Sequence, residues 1–403
     1  MKCDIVVVGS GPGGSTAAYW LARFGADVIL VDKADFPRNK PCGDALEPGE
    51  DELLKVMGMA DYVGSVGQSY RGIRIIMPGI TDKRIYFDDD SSNKLRQGWV
   101  ISRLKLDNAL CQNAMNAGAR FVPGFTARLP YYRQSRLKGV RGTIGGHSLT
   151  IQAHLTIVAT GANRKFIQSL GICTQERPTA LAMRAYTRGI RNQDGCLRFY
   201  LNRELIPGYG WVFPTGSDSA NIGFVVFLDR GGPGEASRRL KDAFMLMVEH
   251  EQSEGAVLMG EPQGYPLRCD YPHIPVYADG LLVVGETAGL VDPITYAGIS
   301  PAMRSGWLAA RIANYALGVG DFSANLLKVY ADILSDLNAA YFTQARRFIS
   351  WLAEPGVIDL LISQAKVDAH ITAGLKLTVL GKHPQEGLEM LQERIGKPRV
   401  IEG

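Results

Sequence analysis

The sequence predicts a mixed α/β (α+β) fold that opens on a βαβ unit and closes on a helical C-terminal region. Three observations predict it. A β-branched run, Asp4-Ile5-Val6-Val7-Val8, passes straight into a glycine-rich turn and a helix of small residues. A second apolar strand at 27–31 ends at Asp32. From residue 322 onward, Leu326, Leu327, Tyr330, Ile333 and Leu334 recur at helical spacing.

The first strand is apolar without alternation, so it reads as a parallel strand buried on both faces. Gly9-Ser10-Gly11-Pro12-Gly13-Gly14 follows, then a helix over 15–22. Gly9 permits the tight turn, Gly11 lets the backbone approach a pyrophosphate, and Gly14 lets the helix pack closely on the strand. The helix N-terminus offers unpaired N–H groups and partial positive charge to that phosphate. Asp32 is placed to accept hydrogen bonds from ribose hydroxyls. With strand, turn, helix, second strand and acid in register, this is a Rossmann-like fingerprint, and a bound dinucleotide is expected.

Bulk properties narrow the class. The chain has 403 residues, enough for two or three domains, and 46% hydrophobic against 21% charged residues, as in ordinary globular proteins. A net charge of +4 without a long Lys/Arg run gives no nucleic-acid footprint. Six cysteines, Cys3, Cys42, Cys111, Cys173, Cys196 and Cys269, form no CxxC pair, so no metal site and no disulfide framework is expected. The run 5–8 is too short for a secretory signal, and no stretch reaches the roughly 18 apolar residues of a spanning helix. A cytoplasmic location is expected, with peripheral membrane contact if the substrate is membrane-borne. Residues 357–380 read as an amphipathic, packed terminal helix.

The fingerprint does not choose between FAD and NAD; three later segments do. Residues 151–163 read as a strand ending in Ala159-Thr160-Gly161-Ala162. Leu281-Leu282-Val283-Val284-Gly285-Glu286-Thr287-Ala288-Gly289 is a second strand with a glycine-bounded acid. Arg103-Leu104-Lys105-Leu106-Asp107 opens a helix after a strand at 99–102; Arg103 can face a cofactor, pair with Asp107 one turn on, or both. In order and separation these segments resemble the FAD-dependent superfamily typified by p-hydroxybenzoate hydroxylase, over roughly residues 1–320.

That resemblance implies a Rossmann-like FAD-binding domain (1–66 with 98–168 and 278–320) interrupted by an antiparallel-sheet substrate domain (67–97 with 169–277). A helical region, 321–403, follows. It implies FAD contacts from Gly9, Gly11, Pro12, Gly13, Gly14, Asp32 and Lys33. Further contacts come from Cys42, Gly43, Arg103, Ala127, Thr160 and Gly161, and from Gly285, Glu286, Gly289, Pro293, Gly298 and Ile299. Glu286 stands where relatives carry Asp, one methylene shorter. Tyr296 and Ala297 stand where they carry a second glycine, which crowds the surroundings of the flavin ring. No second nicotinamide-binding unit is visible: Gly231-Gly232-Pro233-Gly234 reads as a loop before a helix at 235–251. The reductant is then NAD(P)H docking transiently, or a reduced redox protein.

Two segments resemble the geranylgeranyl reductase branch more narrowly. Pro37-Arg38-Asn39-Lys40-Pro41-Cys42-Gly43-Asp44 is similar to its Lys-x-Cys-Gly loop, which lies beside the flavin ring. Gly208-Tyr209-Gly210-Trp211-Val212-Phe213-Pro214 is similar to its Tyr-x-Trp-x-Phe-Pro segment, with a relative in halogenases. Strand alternation puts Tyr209, Trp211 and Phe213 on one face, suited to an apolar ligand or to plain core. The resemblance implies an FAD-dependent oxidoreductase that reduces carbon–carbon double bonds of an apolar, prenyl-like or lipid substrate. Cys42, Tyr209 and Trp211 are its candidate catalytic and substrate-lining residues. The alternative is a monooxygenase or halogenase acting through a peroxyflavin on an aromatic or carrier-bound metabolite; a non-catalytic flavoprotein is the third class. The C-terminal helices are expected to cap the substrate domain or form an oligomer face, with Pro355-Gly356 breaking the pattern.

Overall fold

The computed structural model describes residues 1–48, 51–77, 81–87, 97–134, 136–173, 178–190, 194–202, 205–228, 233–354, 356–365, 368–379 and 384–395. Gly231, Gly232 and Pro355 lie outside the described residues.

The first strand, Ile5–Val8, is at most 4% exposed at any residue, as its unbroken apolar run demands. It lies centrally in a six-stranded sheet, between Leu155–Val158 and Val28–Val31, parallel to both. Ile5 sits opposite Leu155 on one side and Val28 on the other. Arg120–Val122 and Leu281–Val283 extend the sheet in parallel, and Tyr277–Ala278 closes one edge antiparallel. The first helix, Pro12–Arg23, begins with Pro at its first turn, where a missing N–H costs nothing.

That helix packs on a second long helix, Ile299–Val319, so closely that backbone meets backbone at one point. A Cβ on Gly306 would lie 2.2 Å from the Gly13 carbonyl oxygen, and one on Gly14 would lie 1.8 Å from that of Gly9. Both positions need glycine for close approach alone.

The second large sheet has eight strands, in which Ala180–Arg188, Ser219–Phe227 and Tyr209–Pro214 run antiparallel in order. Cys196–Tyr200 pairs antiparallel with Tyr209–Pro214 and parallel with Gly72–Met77, which pairs in turn with Thr81–Tyr86. A helix over Pro233–Ser253 covers one face through Ala236, Leu240, Phe244 and Val248. Trp211 on the other face lies over Gly223, where a Cβ would come within 2.1 Å of the indole.

Two readings from the sequence need correction. The single strand expected over 151–158 is two strands: His147–Gln152 belongs to a three-stranded antiparallel sheet, and Leu155–Val158 to the parallel one. The chain turns at Ala153-His154 because Ile5–Val8 captures only the second half, with the Leu155 and His154 amides both donating to the Asp4 carbonyl.

The helix expected over 357–380 is two helices, Val357–Ala365 and Ala369–Val379. The preceding stripe is one 29-residue helix, Ala324–Leu352, capped by Ser323. Its two ends serve different sheets: Phe348 and Leu352 near its C-terminal end line a cavity beside Ile73 and Leu197 of the antiparallel sheet, whose Lys83 also bonds to Ala365 and Thr372 of the helices that follow. Leu327, Tyr330 and Leu334 join the core of the parallel sheet, and the Tyr330 hydroxyl donates to the Val283 carbonyl at 2.9 Å. No helix among the described residues is long and apolar enough to cross a membrane.

Candidate active site

A cavity of about 930 Å³ runs from the glycine-rich turn to the antiparallel sheet. Its first part is built by backbone. Gly9 holds φ +102, and a Cβ there would lie 2.3 Å from the Ala159 carbonyl oxygen, so turn and neighbouring strand end touch. Asp32 organises this turn: it accepts from the Ser10 amide (2.8 Å), the Ser10 hydroxyl (3.1 Å) and the Ala34 amide (3.0 Å). A carboxylate has about four lone-pair sites, so capacity remains for a ribose.

Two guanidinium groups flank the turn. A Cβ on Gly11 would lie 3.7 Å from Arg38 Nη2 and 3.8 Å from Arg103 Nη2. Arg103 is also gripped from behind, its Nε and Nη2 donating to Asp107 at 2.6 and 2.8 Å, and Arg38 Nη1 lies 2.8 Å from the same carboxylate. Burial works against the Arg103 charge, but Asp107 outweighs it and raises its pKa. Both sequence readings of Arg103 therefore hold in geometry: it pairs with Asp107 and lines the cavity. Two cations on one buried acid leave positive charge beside a glycine cradle, which fits a pyrophosphate.

Across the cavity, Glu286 stands at the start of a short helical turn, Gly285–Ala288. Its Oε2 accepts from Lys40 at 3.4 Å and from the Tyr265 hydroxyl at 3.3 Å, and Lys40 lies over the Tyr265 ring. Burial opposes the Lys40 charge, yet Tyr265 and Glu286 hold its pKa above the ordinary value. Glu286 Oε1 is buried with no protein partner, although a buried carboxylate oxygen demands one. A glycine cradle, flanking guanidiniums and an orphan acceptor fit a flavin dinucleotide. The extra methylene of Glu286 lets it reach the Lys40 loop.

That loop, 37–44, hangs between the two large sheets. On one side Arg38 and Lys40 meet Asp107 and Glu286. On the other, Arg184 donates to Asn39 at 2.8 Å, Asn221 Nδ2 donates to the Cys42 carbonyl at 2.7 Å, and Tyr186 donates to Asp44 at 2.5 Å. Cys42 is half-buried, faces Arg103 and lines the cavity. Asp44 is fully buried; burial pushes its carboxyl up to about 6, against the pull of Tyr186, Asn221, Arg184 and Arg103.

Beyond the loop the wall becomes apolar. Tyr209, Trp211 and Phe213 do share a face, with neighbouring ring centroids 6.3 and 6.1 Å apart, and all three line the cavity. The Tyr209 hydroxyl donates to the Thr295 carbonyl at 2.5 Å, and burial raises its pKa. Tyr296, in the position read as crowded, holds φ +54 and packs its ring against Tyr209 and Phe227. Ile73, Ile75 and Leu197 from the sheet and Phe348, Leu352 and Leu361 from the C-terminal helices complete the lining.

Of the residues singled out from the sequence, the cavity gathers Gly9, Gly11, Pro12, Gly13, Asp32, Lys33, Cys42, Gly43, Arg103, Ala127, Thr160 and Gly161. It also gathers Tyr209, Trp211, Gly285, Glu286, Gly298 and Ile299. Three lie off it. Gly14 meets the Gly9 carbonyl instead. Gly289 holds φ +77 in a turn where a Cβ would strike Asp270 and Tyr271. Pro293 does not line the cavity. Sequence reasoning missed Asp44 and Tyr265 as cavity wall, and Asn221 and Tyr186 as the partners that hold Asp44 from behind. Only Asp44 carried a local signal, as the acid closing the Cys-Gly loop. Among the described residues no group of three His, Cys, Asp or Glu side chains could hold a metal.

Comparison with known proteins agrees with this geometry. A model of FAD binding domains matches residues 2–192, and a model of geranylgeranyl reductase catalytic domains matches residues 179–260. A digeranylgeranylglycerophospholipid reductase of Methanothrix thermoacetophila is 32% identical over 338 residues, covering 82% of each chain. A geranylgeranyl bacteriochlorophyll reductase-like protein from Thermoplasma acidophilum superposes with a TM-score of 0.82 at 23% identity, over 97% of this chain and 99% of that one. The flavin-dependent brominase Bmp2 superposes with a TM-score of 0.74 at 18% identity, over 98% of this chain and 99% of that one. At these identities the last two likenesses speak for fold alone.

Proposed function

Because the chain belongs to the geranylgeranyl reductase family of FAD-dependent oxidoreductases, we propose that it saturates carbon–carbon double bonds in a prenyl-like chain. One observation carries the substrate class. The cavity continues without interruption from the glycine cradle, past Cys42, into a wall of aromatic and aliphatic side chains. An apolar chain laid there stands beside the flavin-binding end while its remainder is buried among Trp211, Ile73, Leu197 and Leu361.

FAD supplies a hydride when bound and reduced. The protein's own work is binding, orientation and exclusion of water. Gly9, Gly11 and Gly13 with Arg38 and Arg103 hold the pyrophosphate end, Asp32 the ribose, and Glu286 the polar chain. Trp211 and Phe213 press the substrate from the sheet side. Tyr209 commits its hydroxyl proton to the Thr295 carbonyl, and burial makes it a weaker acid, so its part is as wall and not as proton source. Cys42, half-buried on the cavity rim, is the group positioned to orient the alkene or hand it a proton. The electron donor is a reduced nicotinamide docking transiently or a redox protein.

Anaerobic photoreduction tests this reading. Reoxidation of the flavin by a prenyl alkene without oxygen, with a saturated product, is the expected outcome. Reoxidation by oxygen alone, with the alkene unchanged, would overturn it in favour of a monooxygenase or halogenase. Cys42→Ser is expected to lower turnover at least tenfold; full turnover would remove Cys42 from the site.

A further inference from the structure

The Cys42 loop is held by one buried network that the reaction chemistry leaves unexplained. Asn221, wholly buried on the strand Ser219–Phe227, makes three bonds with one side chain. Its Nδ2 donates to the Cys42 carbonyl at 2.7 Å and to Asp44 Oδ2 at 2.8 Å, while its Oδ1 accepts from Trp211 Nε1 at 3.0 Å. Asp44 Oδ2 also takes the Tyr186 hydroxyl, and its Oδ1 takes the Arg103 amide at 3.3 Å. Between Cys42 and Asp44, Gly43 packs closely: a Cβ there would lie a tight 3.2 Å from the Phe213 ring and in contact, at 3.6 Å, with Trp211 Nε1.

Asp44 also holds φ +67, a conformation that side chains other than Gly, Asn and Asp rarely adopt and that persists only where surroundings impose it. A strained, fully buried acid two residues from Cys42 is a poor choice for stability alone. Glycine would relieve the backbone, and asparagine would fit it without a buried charge.

We propose that Asp44 and Asn221 are positioning residues that lock the Cys42–Gly43 backbone against the Trp211 indole, and that the ionised form of Asp44 is the working one. Both donors, Tyr186 and Asn221, point at the same carboxylate oxygen, so a negative acceptor holds both, and a protonated one holds them weakly. The groups facing Asp44 are Arg184 and Tyr186 from the strand Ala180–Arg188, Asn221 from the strand Ser219–Phe227, and Arg103 from the helix Arg103–Asn116. Burial raises the Asp44 carboxyl to about 6. Its ionised form therefore costs the fold stability in full above that pH, and the cost shrinks as pH falls from 6 and is gone only below about 4, the ordinary carboxylate value.

This proposal uses the alkene-reductase reading only for its turnover assay; the other two measurements stand without it. On the full-length, flavin-loaded enzyme, alkylation of Cys42 by iodoacetamide is mapped by mass spectrometry. That mapping separates it from Cys3, whose thiol burial pushes up to about 12. Asn221→Ser, and Asn221→Leu where it folds, should change the Cys42 alkylation rate at least fivefold and raise KM more than they lower kcat.

Asp44→Asn should raise the melting midpoint at pH 8, keep only part of that advantage at about pH 5 and lose it below about pH 4, and lower kcat at least tenfold. It should also abolish the acid limb of the wild-type pH profile. The proposal is overturned if Asp44→Asn melts lower than wild type at pH 8, as loss of a merely structural carboxylate would require. It is equally overturned if Cys42 alkylation is unchanged in the Asn221 variants. Should no alkene reoxidise the flavin, the alkylation rates and melting curves still decide between these outcomes.

Discussion

Arg164 is the largest wholly buried side chain among the described residues, and leaving its charge unpaired has a calculable effect. Its guanidinium meets Asp270 through two bonds of 2.6 Å, and its Nε donates to the Thr287 carbonyl at 3.1 Å, next to Glu286. Asp270→Ala leaves that charge buried and unpaired, which costs about 3–5 kcal/mol. Arg268 aggravates the loss: it is 6% exposed, donates to the Ala162 carbonyl, and burial and the Arg164 charge already depress its pKa.

At about 2.1 cal/mol/K per residue, unfolding 403 residues carries an entropy of about 0.85 kcal/mol/K, so the midpoint should fall by about 4–6 °C. The double variant Arg164→Met/Asp270→Leu removes both charges and should recover at least half of that loss, since apolar replacement of a buried pair is often neutral. Thermal melts followed by flavin fluorescence check both, and the single variant should also release flavin more readily through the loosened Thr287 turn. A single variant melting within 1 °C of wild type, or a double variant melting below the single one, would refute the reasoning.

Other predictions follow from the cavity walls. Glu286→Gln removes a charged acceptor whose Oε1 has no protein partner, and should weaken FAD binding roughly 10- to 100-fold by titration of the apoprotein, the equivalent of about 1.5–3 kcal/mol. Trp211→Ala opens the apolar wall and should raise KM for a prenyl substrate; an unchanged KM would take Trp211 out of the site. Tyr296→Gly exchanges about 1–3 kcal/mol of backbone strain for lost ring contacts with Tyr209 and Phe227. Its melting midpoint should move by under about 3 °C, while competition between substrates of different bulk shifts toward the larger.

The parts legible in the sequence were those whose signals are local. Gly9 to Gly14 and Asp32 lie within one βαβ unit, where turn geometry and strand burial fix one another. Tyr209, Trp211 and Phe213 declare a shared face because a strand repeats every two residues. The rest depended on partners far away in the chain. Asp44 meets Tyr186 142 residues on and Asn221 177 residues on, and Lys40 meets Glu286 across 246. No spacing rule links such pairs.

The helix Ala324–Leu352 was recognisable by its stripe, but the stripe does not say what each end covers; Tyr330 and its bond to Val283 fix the first half on the parallel sheet, and Phe348 and Leu352 bring the other end to the cavity. The strand break at Ala153-His154 was hidden because β-forming residues run on through it without Gly or Pro, and only the competition between two sheets separates the halves.

The contact between Gly13 and Gly306 bears on how such an enzyme can diverge. Main chain meets main chain there, so no exchange of side chains can adjust the spacing of the two helices that underlie the cradle. Ile73, Leu197 and Leu361, by contrast, are ordinary apolar side chains on the far wall, and volume-preserving swaps among them are cheap. Descendants of this chain are free to trade one apolar substrate for another while the electron chemistry next door stays anchored, and the two halves of the cavity should show different tempos of change.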